Sequence, residues 1–289
     1  MKIAVVGKGG SGKSTISWLL VNQLSRKNNV LAIDADYNMD LVHNLGSSED
    51  ISFLNHSEKD FYAYQSLASD ELYANLPKRT NLKKFSFSPN DTFTEKYARE
   101  IKKNISLMAG GRFHEDSLYG QRCSHAYLAP LKYYLSLLTL PSNSFVIIDS
   151  VAGTDMVAYG LYLGVDAVIC SVEPNKNSMN VFHQIKMITT QFDIPLFIVI
   201  NKSLPSPEMD EFKKKYKLMI LGEIPIDAEI IKNNMAGLSQ KTKEALEDIE
   251  EAIKKKLKPA TNVWNRLVAW RENYELQQKS QLQIRLKEE

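Results

Sequence analysis

Residues 2–15 read Lys2-Ile3-Ala4-Val5-Val6-Gly7-Lys8-Gly9-Gly10-Ser11-Gly12-Lys13-Ser14-Thr15. The unalternating apolar run from Lys2 to Val6 predicts a strand buried on both faces of a parallel sheet. Gly7 to Thr15 matches G-x-x-x-x-G-K-[ST], and an apolar-periodic helix follows from Ser14 to about Arg26. Strand, glycine loop and helix N-terminus in that order are what a phosphate cradle requires. Gly7, Gly9, Gly10 and Gly12 let the backbone amides turn inward, and the helix end adds its positive dipole. Ser11 completes the loop. Lys13 is placed to reach β- and γ-phosphates, the Ser14 hydroxyl to ligate Mg²⁺, and Thr15 to pack near the α-phosphate.

Outward from the loop, the chain alternates apolar strands with helical sequence. Val30–Ile33, Ile105–Met108, Phe145–Ile148, Ala167–Val172, Leu196–Ile200 and Leu218–Leu221 read as further strands. The pattern predicts an α/β protein, a three-layer doubly wound and mostly parallel sheet. Residues 1–258 are read as the main domain and 259–289 as an amphipathic tail. Residues 46–104 are polar, aromatic-rich and without sustained period, so they are read as an insertion of short helices and loops packed around Phe61, Tyr64 and Leu72.

Of 289 residues, 44% are hydrophobic and 24% charged, and 36 Lys and Arg balance 34 Asp and Glu at a net charge of +2. No strongly charged partner such as nucleic acid is called for. Two cysteines exclude a disulfide framework, and no apolar run approaches the roughly 18 residues of a membrane span. A cytoplasmic location is the expectation.

Lys8, the additional lysine in KGGSGK, makes this loop resemble the deviant phosphate loop of the MinD/ParA/nitrogenase-iron-protein class. The resemblance implies a P-loop ATPase fold and an ATP-dependent homodimer in which Lys8 reaches the partner's phosphates. It further implies that Asp36 orients the attacking water and stands near Mg²⁺, with Asp34 beside it. Asp149, closing the strand Phe145–Ile148, fits the aspartate that holds the metal's water shell, and Ala152-Gly153 fit the hinge of a second switch. Asn201 and Lys202 resemble the adenine-contacting pair, with Pro225 a further nucleotide contact. Leu204 stands where guanine-specific relatives carry an aspartate, which favours ATP over GTP.

MKIAVVGKGGSGKST, LAIDADYNMDL, FSPNDTFTEKY, SLMAGG, DSVAG and VEPNKNSMNV, in that order, are similar to the CooC-like ATPases, which assist nickel insertion into carbon monoxide dehydrogenase. That resemblance implies a slow, partner-stimulated ATPase serving a client metalloprotein. A MinD/ParA-like positioning or regulatory protein with little metal role is the alternative. The family's C-x-C metal pair is here Gln121-Arg122-Cys123. One cysteine is therefore missing, and Asp155 replaces the usual switch glutamate. Across a dimer Cys123 and His125 still offer a Cys₂His₂ set for Zn or Ni, although a lone Cys-x-His also suits a small buried hydrophobe. His114 is a weaker candidate ligand, and Cys170, inside AVICSV, belongs to the core. In the tail, Val263, Leu267, Trp270 and Tyr274 recur at helical spacing. Such a face caps the core, docks a partner, or makes peripheral contact with a membrane, the last being the least suited to its acidic residues.

Overall fold

In the computed structural model the described residues are 1–47, 51–68, 73–111, 128–153 and 160–273. Strands β1 (Lys2–Gly7), β2 (Asn29–Asp34), β3 (Phe85–Ser86), β4 (Arg99–Lys102), β5 (Ile105–Ala109), β6 (Leu138–Thr139), β7 (Ser144–Asp149), β8 (Ala167–Val172), β9 (Leu196–Ile200) and β10 (Ile220–Glu223) form two sheets. The larger is eight-stranded in the order β10-β9-β8-β1-β7-β2-β5-β4, and β3 and β6 make a separate parallel pair. Every pairing in the large sheet is parallel except β4 with β5. The three-layer doubly wound α/β sheet expected from the alternation is therefore the observed fold.

Alternate residues of β1 enter different cores. Ile3 and Val5 join one apolar cluster, Ala4 and Val6 the other, and all four are fully buried. Helix α1 (Lys13–Leu24) and the long carboxy-terminal helix Gln240–Lys256 cover the first face. Their side chains Ile16, Leu19, Leu20, Leu246, Ile249 and Ile253 close it. The opposite face is covered by Ala129–Leu137 and Lys176–Gln191 together with an aromatic cluster. Phe61, Tyr64, Phe85, Phe93 and Tyr134 pack there ring to ring, with Tyr64 stacked on Phe85 at 4.6 Å between centroids.

This cluster is what orders residues 46–104. Phe61 and Tyr64 take the roles expected of them, and Leu72 lies outside the described residues. The segment is not wholly helix and loop, however. It contributes β4, the antiparallel edge strand, whose polar sequence Arg99-Glu100-Ile101-Lys102 suits a solvated edge and hides it from pattern reading. A second correction concerns the last strand, which begins at Ile220 rather than Leu218. Leu218 follows the helix Pro207–Tyr216 and is 87% exposed.

Residues 263–273 form a helix that packs on the core. Val263 and Leu267 are buried, and Trp264 and Trp270 rest against the same cluster. Arg266 donates to the Val165 carbonyl at 2.9 Å and to the Asp193 carbonyl at 2.9 Å. Ala260 N–H bonds the Asp166 carboxylate at 2.9 Å. Through residue 273, then, the apolar face of the tail caps the sheet; Tyr274 and the rest lie outside the described residues. No helix among the described residues is long and apolar enough to cross a membrane.

Because Leu267 is fully buried, Leu267→Ala is expected to lower unfolding free energy by about 2–4 kcal/mol. Lys258→Ala, at an exposed position, is expected to change it by less than about 0.5 kcal/mol. Urea unfolding of the full chain measures both.

Candidate nucleotide and magnesium site

The phosphate loop lies at the carboxyl end of the central strand, the usual ligand edge of an open parallel sheet. Its shape rests on side chains outside the motif. The Ser11 carbonyl accepts the Ser171 hydroxyl at 2.6 Å and the Asn201 amide at 2.9 Å. The Gly10 carbonyl accepts Lys202 Nζ at 3.1 Å, and that ammonium is held by Glu173 at 2.6 Å. Two glycines are required by contact as well as by conformation. Gly7 has φ +149°, and a Cβ there would approach the Ser171 carbonyl oxygen to 2.6 Å. Gly12, at φ +84°, precedes the first residue of α1, and a Cβ there would drive into Asn201 Nδ2.

The loop is therefore held by ties from its carbonyls to the ends of β8 and β9, and internally by Ser11 N–H, which donates to the Lys8 carbonyl at 3.0 Å. Lys13 is only 7% exposed beneath it. Lys8, by contrast, is half-buried, and its Nζ donates to the carbonyl of the adjacent Gly9 at 3.2 Å. Gly153 N–H bonds the Gly7 carbonyl at 2.8 Å, so the expected second-switch hinge is tethered to the start of the loop.

Two carboxylates stand side by side at the strand ends. Asp34 on β2 and Asp149 on β7 are direct register partners, and both are fully buried. Asp34 accepts from Asp36 N–H at 3.1 Å and from Val42 N–H at 3.1 Å, which turns the chain out of β2 and sets Asp36 at the rim. Asp149 Oδ1 accepts the Ser17 hydroxyl at 3.1 Å, while Oδ2 has no partner among the described residues. Burial, and then the neighbouring Asp149, push Asp34 well above the usual carboxylate range. Burial likewise pushes Asp149 up to about 7, against the downward pull of Ser14, Lys13 and Ser17. A buried carboxylate pair with an unpartnered oxygen, next to the Ser14 hydroxyl, is a hard oxygen donor set of the kind that suits Mg²⁺ beside phosphates. The residues present fit that ion.

Thr15, Asn201, Lys202 and Pro225 line one cavity of about 380 Å³, walled further by Ile226 and Ile230. Every residue carried over for base contact thus faces a common space. One of the two Asn201 Nδ2 N–H donors holds the Ser11 carbonyl, which leaves the other and Oδ1. Ser17, Ser171 and Glu173 were not singled out from the sequence. Ser171 and Glu173 flank the end of β8, and polar residues at that sheet edge are the signal that identifies them. Cys123, His125, His114, Gln121 and Asp155 lie outside the described residues. Cys170 is buried, and its thiol is pushed up by burial to about 12. Among the described residues no cluster of three or more His, Cys, Asp or Glu could hold a metal ion.

A parallel sheet whose central strand feeds this loop, with a base cavity on one side and paired aspartates on the other, defines a P-loop nucleotide-binding protein. The chain belongs to the CobQ/CobB/MinD/ParA nucleotide-binding family, whose model matches residues 2–285. It is an ATP-binding ATPase of the MinD/ParA type. An uncharacterized ATP-binding protein of Methanocaldococcus jannaschii is 27% identical over 241 residues, 82% of this chain and 92% of the relative. The carbon monoxide dehydrogenase accessory protein CooC of Rhodospirillum rubrum is 30% identical over 244 residues, 83% of this chain and 89% of the relative. The septum site-determining protein MinD of Pyrococcus horikoshii, solved with Mg-ADP, shares the fold at TM-score 0.58 and 18% identity, covering 88% of this chain and 96% of that one.

The aspartate pair has a consequence for the nucleotide-free protein. An acid whose folded pKa is raised binds its proton more tightly folded than unfolded, so stability falls as pH rises between the two values. For Asp149 that window runs from the ordinary aspartate value to about 7, and Asp34 acts in the same direction. The melting temperature of nucleotide-free protein is expected to fall across this window, and Asp149→Asn to flatten the fall. A pH series of thermal melts checks it, and an unchanged slope in Asp149→Asn would show the pair is not responsible.

Proposed function

We propose that this protein is a Mg-ATP-dependent homodimeric switch that hydrolyses ATP slowly and acts as an accessory or maturation factor for a partner protein. The observation that carries the reading is the division of labour between the two loop lysines. Lys13 is buried under the loop, whereas Lys8 is half-buried and its Nζ donates only to the carbonyl of the adjacent Gly9 among the described residues. An ammonium with so weak a tie in its own chain is suited to reach the phosphates of a second copy. It would then neutralise charge that develops on the transferred group.

The remaining roles follow. Loop amides and Lys13 hold the β- and γ-phosphates, and Ser14 with Asp149 would hold Mg²⁺, which supplies charge neutralisation on the phosphate oxygens. Asp36, turned to the rim by its bond to Asp34, orients the attacking water. Asn201, Lys202 and Pro225 wall the base. The tether from Gly153 to Gly7 ties the second switch to the loop, so that a change in phosphate occupancy reaches residues beyond 153. The accessory role rests on the likeness to the carbon monoxide dehydrogenase accessory protein CooC. Metal carriage by Cys123 and His125 is no part of the proposal.

Lys8→Ala is expected to leave ATP affinity within about twofold and to reduce partner- or dimer-stimulated turnover by 10³-fold or more, the scale of a charge-neutralising finger. Lys13→Ala is expected to lose nucleotide binding itself. Equilibrium binding of a fluorescent ATP analogue and steady-state phosphate release separate the two effects. Wild-type turnover in Lys8→Ala would sink the trans role. Sedimentation of Asp36→Ala with Mg-ATP is expected to show a dimer that reverts to monomer with ADP.

A further inference from the structure

A cavity of about 590 Å³ lies at the opposite end of β1 from the phosphate loop. Its walls are residues 77–84, the β6 region and the start of the 263–273 helix. The six residues of β1 at about 3.3 Å each put it on the order of 15–20 Å from the nucleotide site. Its volume is in the range of small-molecule sites.

The lining is of one charge. Lys2, Lys78, Arg79 and Lys84 face it, and no acidic residue does among the described ones. In a chain of nearly balanced charge, a lining that carries cations and no acidic residue among the described ones favours anions. Lys2 is the telling member. It is only 7% exposed, and its Nζ donates to the Leu135 carbonyl at 2.7 Å and to the Leu138 carbonyl at 3.5 Å. An ammonium carries three donors, so one is left for the cavity. The nearest carboxylate, Asp166, is engaged by backbone amides, Lys2 N–H at 2.6 Å and Ala260 N–H at 2.9 Å. Burial in turn lowers the Lys2 pKa from the ordinary lysine value, the cost of holding this amine without a carboxylate bonded to its side chain. Lys78 and Arg79 each make interactions of their own and add charge at the rim. Lys84 is exposed there. Trp264 supplies a flat apolar wall.

We propose that this cavity binds a compact polyanion, a small molecule with two or more carboxylate or phosphate groups, at a second site separate from the nucleotide site. Lys2 anchors one anionic group from within and Lys84 closes on another from the rim. Because Trp264 belongs to the 263–273 helix and Lys2 opens β1, the ligand bridges that helix to the central strand and stabilises its docking.

The test uses full-length protein carrying Lys13→Ala, without divalent metal, so that the phosphate loop does not compete. Tricarballylate and tripolyphosphate are titrated separately by calorimetry, which distinguishes carboxylate from phosphate chemistry. The expected result is saturable binding of at least one probe at one per chain, weakened tenfold or more by Lys84→Glu and by added salt. Lys84→Gln, which only removes the charge, is expected to fall between. No saturable binding of either probe, or binding that Lys84→Glu leaves unchanged, overturns the proposal. Because nucleotide affinity plays no part in the measurement, either outcome is independent of the ATPase reading.

Discussion

The buried pair Asp34 and Asp149 is the constraint around which the rest of the site is arranged. Two carboxylates at opposed register positions of adjacent central strands, both removed from water, repel each other in a low-dielectric setting. Folding alone gives no return for that arrangement; an apolar pair at the same positions would be more stable. What offsets it is local and specific. Backbone amides of Asp36 and Val42 satisfy Asp34, the Ser17 hydroxyl satisfies one oxygen of Asp149, and the charge of Lys13 lies close enough to act on Asp149. The chain leaves Asp34 toward Asp36 and leaves Asp149 toward Gly153, so both exits start from the same buried pair.

The second level of organisation is that the loop is held by its carbonyls. Ser171, Asn201 and Lys202 come from the ends of β8 and β9 and bind Ser11 and Gly10 from outside. This fixes the loop from outside, which is the preorganisation that anion binding needs. It also makes the base cavity and the phosphate cradle one structure, because Asn201 serves as a wall of the first and a brace of the second.

Much of this was legible in the sequence, for a physical reason. Strands buried on both faces must be continuously apolar, and a phosphate loop must be glycine-rich between strand and helix, so both leave unmistakable patterns. Residues 145–149 and 196–202 could therefore be placed with their terminal polar groups at the ligand edge. What was illegible lacks such a requirement. The edge strand Arg99–Lys102 is polar because it faces water, and it reads as loop. The aromatic cluster of Phe61, Phe85, Phe93 and Tyr134 gathers residues more than seventy positions apart, with no period to announce it. Ser17 and Ser171 are single hydroxyls whose importance lies in what they touch across the sheet.

The helix at 263–273 shows how an amphipathic pattern acquires meaning only from its neighbours. Its spacing was consistent with a core cap or a partner surface, and less so with a membrane face. Through residue 273 the described face is used internally, and its fastenings are informative about what lies beneath. Arg266 holds the carbonyls of Val165 and Asp193, and Trp270 lies over Lys132 at 4.6 Å. Burial lowers the Lys132 pKa to about 8, so part of the charge that strengthens this ring contact is lost above that value. A Cβ on Gly160 would meet both Lys132 and Trp270, at 3.6 and 4.0 Å. Gly160 itself has φ +62°. The helix therefore rests beside Gly160, while Gly153 is tied to the phosphate loop. These two glycines are thus fastened to different parts of the molecule, the carboxy-terminal cap and the nucleotide cradle.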